Sequence, residues 1–226
     1  PDKQFYYFNC LPKGEHITSL TSYKKGKFAY FDGCNKEDIR KHLLDEQGKL
    51  CAYCMRRIDE NHMKIEHWYP EDRLTESQKL DYKNMFGVCE GHIDGQKGKW
   101  DTCDTHKGNQ ILTINPQNIQ QIREIKYRTK SGEIYSDNPA INKDLNETLN
   151  LNSEGHLLKQ NRKAVLDSVI VALGHEKQKG NWNYKMLQTM KQKYSRRDTE
   201  GKKREYAGIV LWYLDKKINS IEGKRK

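Results

Sequence analysis

Between Asn35 and Gly48 the apolar residues Ile39, Leu43 and Leu44 share one face of a 3.6-residue repeat. An asparagine suited to accept the first free backbone N–H precedes them, and a glycine suited to a left-handed stop follows. The pattern therefore predicts a helix over Lys36–Gln47. Three further helices are predicted near the C-terminus. Leu158, Val165, Leu166, Val169, Ile170 and Leu173 mark the first, and Tyr184, Leu187, Met190 and Tyr194 the second. Tyr206, Ile209, Val210, Tyr213, Leu214 and Ile218 mark the third, with Gly174, Gly180 and Gly201 as punctuation. Upstream, Gln121–Arg128 and Glu133–Tyr135 flank Thr129-Lys130-Ser131-Gly132, which predicts a hairpin. Residues 1–34 are rich in Tyr, Phe, Lys and Gly without a period and read as an extended arm. From Lys49 to about Asn109 the chain is punctuated by Cys and His and lacks long periodic runs, as expected of a metal-nucleated module. The expected organisation is an α+β chain with an arm (1–34), a metal-bound module (35–115), and a hairpin plus helical C-terminal part (116–226).

Leu, Ile, Val and Phe total 44 of 226 residues, just under the roughly 20% below which disorder becomes a live reading. Thirteen Tyr, four Trp, five Met and six Cys add apolar bulk, so a folded but core-poor chain is expected, one that gains from a metal staple. The 41 Lys+Arg against 31 Asp+Glu leave a net charge of +10. That balance suits a phosphate backbone, although a well-solvated surface accounts for it equally. Lys191–Lys203 is read as a basic connector between the last two helices, expected to track phosphates. No apolar run approaches the ~18 residues of a membrane span, the longest useful one being Ile209–Leu214. No signal peptide is legible. Membrane and secreted classes are excluded on this reading and a cytoplasmic location is expected, where cysteines favour metal ligation over disulfides.

Cys51-Ala52-Tyr53-Cys54 is a CxxC turn that can present two thiolates to one tetrahedral Zn²⁺, with Cys89 and Cys103 completing a closed structural site. The same spacing suits redox chemistry, but no βαβ pattern precedes it. Thirteen residues separate Cys89 from Cys103, wider than the usual knuckle, so His92 or His106 stands as an alternative ligand. Cys10 and Cys34 are left as packed thiols. His16, His42, His156 and His175 lie in polar or helical contexts and read as surface residues, while His62 precedes the Glu66-His67 pair and could line a site.

Glu66 and His67 fall in Ile65-Glu66-His67-Trp68-Tyr69-Pro70. Adjacent side chains alternate along a strand, so the two converge only at a strand end or irregular turn. There Glu66 would offer a hard oxygen to a Mg²⁺-like ion, and His67 a base titrating near neutrality. Asn84 follows, then Cys103-Asp104-Thr105-His106-Lys107.

In order and approximate spacing, CxxC, Glu-His-x-x-Pro, Asn, Cys and Cys-Asp-x-x-Lys resemble the HNH endonuclease motif over about residues 49–110. The resemblance implies a zinc-stapled, treble-clef-like ββα-metal core. It implies His67 as general base, Asn84 as the residue fixing the loop behind it, and Glu66 with Asp104 as ligands of one catalytic Mg²⁺ or Mn²⁺. Lys107 would contact phosphate, and His106 could ligate either metal. Glu stands where Asp is commoner before the base, Asp replaces the last His, and an insertion splits the second cysteine pair.

Cys51–Arg57, Ile65–Pro70, Leu80–Met85 and Leu149–Asn152 also look like the HNH subunit family of Septu-type antiphage systems, PtuB, with retron-associated versions similar. That resemblance implies an SMC-like ATPase partner of the PtuA type, and in retron systems a reverse transcriptase and msDNA. The expected activity is phosphodiester hydrolysis of DNA. Cleavage of RNA such as tRNA, and a non-catalytic zinc-knuckle binding module, are the competing readings. Residues 5–31 and Ile209–Leu214 are the docking candidates, the latter better explained by burial in the chain's own core.

Overall fold

In the computed structural model, which describes residues 17–26, 29–96, 98–175 and 183–223, the described part of the segment expected as an extended arm is partly helical. It carries α1 (Thr18–Tyr23) and a 3₁₀ turn at Phe31–Gly33. Ile17, Leu20, Phe31 and Cys34 are buried in the main apolar cluster, and Ser19 Oγ bonds Asp38 Oδ2. Three large apolar side chains without a period suffice once a surface exists to receive them. Phe5–Phe8 lie outside the described residues.

Next, α2 (Lys36–Gln47) has the predicted bounds: the Asn35 side chain accepts the Asp38 N–H, and Gly48 closes the helix at φ +61°. Ile39, Leu43 and Leu44 are buried. Its last residue, Gln47, acts as a polar rivet to the following sheet. Its Nε2 donates to Leu50 O and Gly87 O at 2.8 and 2.7 Å, and its Oε1 accepts the Gly87 N–H at 2.7 Å.

Two short strands form that sheet. β1 (Lys64–His67) pairs antiparallel with β2 (Met85–Val88), which sets Glu66 opposite Phe86 and His67 opposite Met85. Between them lies α3 (Glu76–Lys79), opened by a capping box of Thr75 and Gln78. After β2 comes α4 (Cys103–Lys107).

The predicted hairpin is present, but shorter than expected. Residues 119–122 are helical, as α5 (Ile119–Ile122), and the paired strands are β3 (Ile125–Tyr127) and β4 (Ile134–Ser136). Gly132, at φ +73°, leaves no room for a side chain, since a Cβ there would sit 2.1 Å from Lys159 O. A short helix, α6 (Pro139–Lys143), runs into a π-turn at Asp144–Thr148.

The three long helices follow as predicted: α7 (Leu158–His175), α8 (Tyr184–Ser195) and α9 (Ala207–Glu222). α8 packs along α9, which also meets α7 and β3. Lys191–Ser195 belong to α8, so the connector is shorter than Lys191–Lys203 suggested and starts at Arg196. One apolar cluster runs from Ile17 through the sheets to Ile218. A second, of Leu50, Met55, Ala207 and Leu211, pins the CxxC turn onto α9; each fully buried leucine there contributes roughly 1.5–3 kcal/mol. All of Ile209–Leu214 except Trp212 is buried. No helix among the described residues is long and apolar enough to cross a membrane.

Candidate metal centre and the neighbouring acid–base cluster

The CxxC turn is a tight knuckle. Leu50 and Arg57 pair across its base, the Cys51 N–H donates to Arg56 O at 2.9 Å, and the Met55 N–H donates to Cys51 O at 3.2 Å. The Ala52 N–H donates to Gly87 O at 3.0 Å, which fixes the knuckle against β2. Cys89 leaves the end of β2, and Cys103 opens α4 with its N–H on Leu149 O at 2.9 Å.

All four thiols are buried, and their sulfurs lie within 4.8 Å of one another. The closest approaches are 3.8 Å for Cys51–Cys103, 3.7 Å for Cys54–Cys89 and 3.7 Å for Cys89–Cys103. A tetrahedron with Zn–S bonds of about 2.3 Å has edges of about 3.8 Å, whereas a disulfide would bring two sulfurs to about 2 Å. The cluster could hold a metal such as zinc, and its closed, four-sulfur donor set fits a structural ion. It is the only such group of three or more Cys, His, Asp or Glu ligands among the described residues.

The fourth sulfur is therefore Cys103, despite the wide spacing. The Thr102 N–H donates to Gly91 O at 2.8 Å, closing the base of the insertion. Gly91 sits at φ +68°, where a Cβ would meet Thr102 O at 2.2 Å. His92 faces Asp101 instead, at 2.8 Å, and His106 Nδ1 lies 3.0 Å from Thr148 O. Neither is in the cluster. Cys34, one of the two thiols left over, is packed as expected, with its Sγ 3.0 Å from Phe31 O.

Burial works against the charge of Arg56, but the nearby Cys54 and Cys89 sulfurs outweigh it and hold the guanidinium pKa above its usual range. Arg56 Nη2 reaches His156 Nδ1 at 3.0 Å, and His156 Nε2 reaches Gly91 O at 3.2 Å. Burial first, and then Arg56, push the His156 pKa down. The ring is thus the neutral Nε2–H tautomer, accepting from Arg56 and donating to Gly91. The expectation of a surface His156 is corrected: this side chain links the thiolate cluster to the insertion.

Beside the thiols lies an acid–base cluster. Glu66 is buried, and its Oε1 accepts from Tyr53 Oη at 2.9 Å and from Lys107 Nζ at 2.7 Å. The Asp104 carboxyl stands beside the same group and, about one-quarter exposed, opens the pair toward solvent near Lys64 Nζ at 3.8 Å. Burial, and next the Asp104 carboxylate, push the Glu66 pKa up to about 8 against the pull of Lys107. Two acids pressed together with one lysine retain one proton near neutrality.

Lys107 is 1% exposed. Its ammonium turns inward, to Glu66 and to His67 O at 3.2 Å, so it is not at the surface where substrate phosphate was expected to meet it. Helical spacing places it over Asp104, three residues earlier.

His67 ends β1, its ring buried against the edge of Phe31 with centroids 4.7 Å apart. Nε2 lies 2.7 Å from Lys79 O. A carbonyl only accepts, so Nε2 carries a hydrogen, and in the neutral ring the lone pair is on Nδ1. Nδ1 lies 3.7 Å from Glu71 Oε2, on a half-exposed side chain. Asn84 clamps the loop that follows: its Oδ1 accepts the Tyr69 N–H at 2.7 Å, its Nδ2 donates to Tyr69 O at 3.0 Å, and its own carbonyl accepts the Trp68 N–H at 2.9 Å. His62 stands apart, exposed and 2.9 Å from Asp59.

Tyr53, Phe31 and the Lys79 carbonyl have no counterpart among the sequence expectations. Tyr53 could have been found as the one polar-tipped residue between the paired cysteines; a backbone carbonyl leaves no mark in a sequence. A scan against protein-family models matched none, and no curated protein matched the chain.

Proposed function

We propose that the chain is a metal-dependent HNH-type nuclease whose core is a zinc-stapled ββα-metal unit made of β1, β2 and α4. One observation carries this reading: the Glu66 carboxyl, near the end of β1, stands against that of Asp104, and the next residue, His67, has its Nε2 2.7 Å from Lys79 O. That constellation supports hydrolysis of a phosphodiester.

The donor set fits a hard divalent ion. Two carboxyls lie together in a shielded place, with the Glu66 pKa raised chiefly by burial and then by Asp104, and a cation between them would favour their ionised forms. Oxygen donors suit Mg²⁺ or Mn²⁺ over softer ions. Glu66 and Asp104 would hold it, and when bound it would supply Lewis-acid stabilisation of the charge developing at phosphorus and the leaving oxygen.

The remaining steps belong to the chain's own residues. Nδ1 of His67 removes a proton from the attacking water, a role worth typically 10²–10⁴-fold. Lys79 O holds the ring in the tautomer that leaves Nδ1 basic. Asn84 positions the loop behind it, and Lys107 orients Glu66. Because Glu71 stands over Nδ1, its exposed side chain must swing aside for water to enter.

Membership of a Septu-type defence complex, with a PtuA-type ATPase and in retron systems a reverse transcriptase and msDNA, rests on the sequence resemblance alone. The test is to incubate purified chain, alone and with such an ATPase, with plasmid, linear DNA and total tRNA, with and without Mg²⁺. Metal-dependent cleavage lost in His67→Ala is expected; cleavage at the wild-type rate by that variant overturns the reading. Preference for tRNA over DNA would settle the polymer in favour of RNA. Partner binding is best probed by deleting residues 1–16, because Ile17, Leu20 and Phe31 belong to the core.

A further inference from the structure

The connector between α8 and α9 folds back over the base of the CxxC knuckle and encloses a cleft of about 370 Å³. Seven cationic side chains line it against two carboxylates, Asp198 and Glu205. Four are arginines, three of which come from the connector (Arg196, Arg197 and Arg204) and one from the knuckle itself (Arg57).

Ion pairing takes up part of this charge, since Lys202 Nζ pairs with Glu200, but the three bonded arginines are held by carbonyls. Arg57 Nη1 donates to Gly48 O and Lys49 O at 3.1 and 3.2 Å, and its Nη2 to Lys203 O at 2.6 Å. Arg197 Nη2 donates to Glu46 O at 2.8 Å, and its Nη1 bonds Asp45 O. Arg204 Nε reaches Lys193 O at 3.4 Å. Carbonyl oxygens hold these guanidinium groups in place without neutralising them. The two acids have backbone duties: Asp198 Oδ1 accepts the N–H groups of Glu200 and Lys202 at 2.9 and 2.8 Å, and Glu205 Oε1 accepts the Arg57 N–H at 2.7 Å. The result is a rigid concentration of positive charge.

We propose that this cleft grips the phosphate backbone of a nucleic-acid strand outside the catalytic pair. The proposal rests on the nuclease reading only for its choice of polymer. Phosphate is the ligand that fixed, planar, multidentate donors suit best. A free nucleotide is the poorer occupant, because the one aromatic in the lining, Tyr194, already has Arg204 5.5 Å from its ring centroid and offers no clear face for a base. Covalent geometry ties the two places together. Tyr53, which donates to Glu66, and Arg57 are four residues apart, so their Cα atoms are at most about 14 Å from one another.

The experiment measures binding of a fluorescent 30-base-pair DNA and a 30-nucleotide RNA to the full chain by anisotropy, across a salt series without added divalent ion. Wild type is compared with Lys193→Gln/Arg196→Gln, which removes two exposed charges and leaves the bonded Arg57 and Arg197 intact. Loss of two phosphate contacts should make the log–log salt slope on DNA shallower by about 1.8, with zinc content and melting temperature unchanged. An unchanged slope overturns the proposal. ATP displacing the strand from wild type at micromolar concentration, but not from the double variant, would assign the cleft to a free nucleotide and also overturn it. Cleavage by wild type is scored separately. A shallower slope with no cleavage leaves the cleft standing and removes the nuclease reading; cleavage with an unchanged slope does the reverse.

Discussion

Lys107 Nζ lies 2.7 Å from Glu66 Oε1, with the two side chains only 1% and 5% exposed. Burying a lone ammonium is costly, so this contact joins the end of β1 to α4 and keeps the candidate metal pair in register. Breaking a buried pair by removing one partner usually costs about 3–5 kcal/mol. Lys107→Met should fall at the lower end, because Glu66 already tends to hold a proton and can neutralise itself. Thermal melting with zinc retained checks this, and a melting temperature within a degree of wild type would mean that the pair contributes nothing to folding.

The thiol cluster makes a sharper demand. Cys51→Ser or Cys103→Ser should release about one zinc per chain and collapse the melting temperature, since structural zinc binding is itself folding free energy on the order of 10 kcal/mol. His92→Ala and His106→Ala should keep the zinc, because their rings face Asp101 and Thr148 O. Elemental analysis decides, and folded wild-type protein without metal would remove the structural role.

Asn84→Ala should separate positioning from chemistry. It removes both bonds to Tyr69 and touches neither carboxylate. Loosening the loop behind His67 should lower kcat by one to two orders of magnitude, with little change in KM or in zinc content. Asn84→Asp, which keeps the acceptor for the Tyr69 N–H, should recover part of the rate. A KM effect alone would place Asn84 in substrate binding.

What the sequence revealed and what it hid divide along a physical line. The helix over Lys36–Gln47 was legible to the residue because its caps, Asn35 and Gly48, act locally. All four residues of the thiol cluster, Cys103 included, were legible; what the sequence left open was whether His92 or His106 would displace one of them. That depends on the Gly91–Thr102 closure, a contact between residues eleven positions apart that needs a left-handed glycine. The direction of Lys107 was hidden for the same reason: a lysine three residues after an acid is ordinarily solvated, and only packing turns it inward. Likewise the burial of His156 depends on Arg56, one hundred positions away.

Glu66 supplies a pH dependence with a definite sign. Its folded-state pKa is about 8, against an ordinary value of 4.5, chiefly through burial and then through Asp104. Between those limits the folded chain holds a proton that the unfolded chain has lost. Stability from this group is therefore fully present below about pH 4.5 and is lost as pH rises through 8. Glu66→Gln, which cannot ionise, should flatten that part of the profile, so wild type should lose more melting temperature than the variant between pH 5.5 and 8.5. A divalent ion at the carboxylate pair competes with the same proton, so added Mn²⁺ should raise the wild-type melting temperature more at pH 8 than at pH 6, and should do little for Glu66→Gln. Equal Mn²⁺ stabilisation of both proteins at both pH values would mean that the ion binds elsewhere, and that the Glu66–Asp104 contact is a proton-sharing strut of the fold.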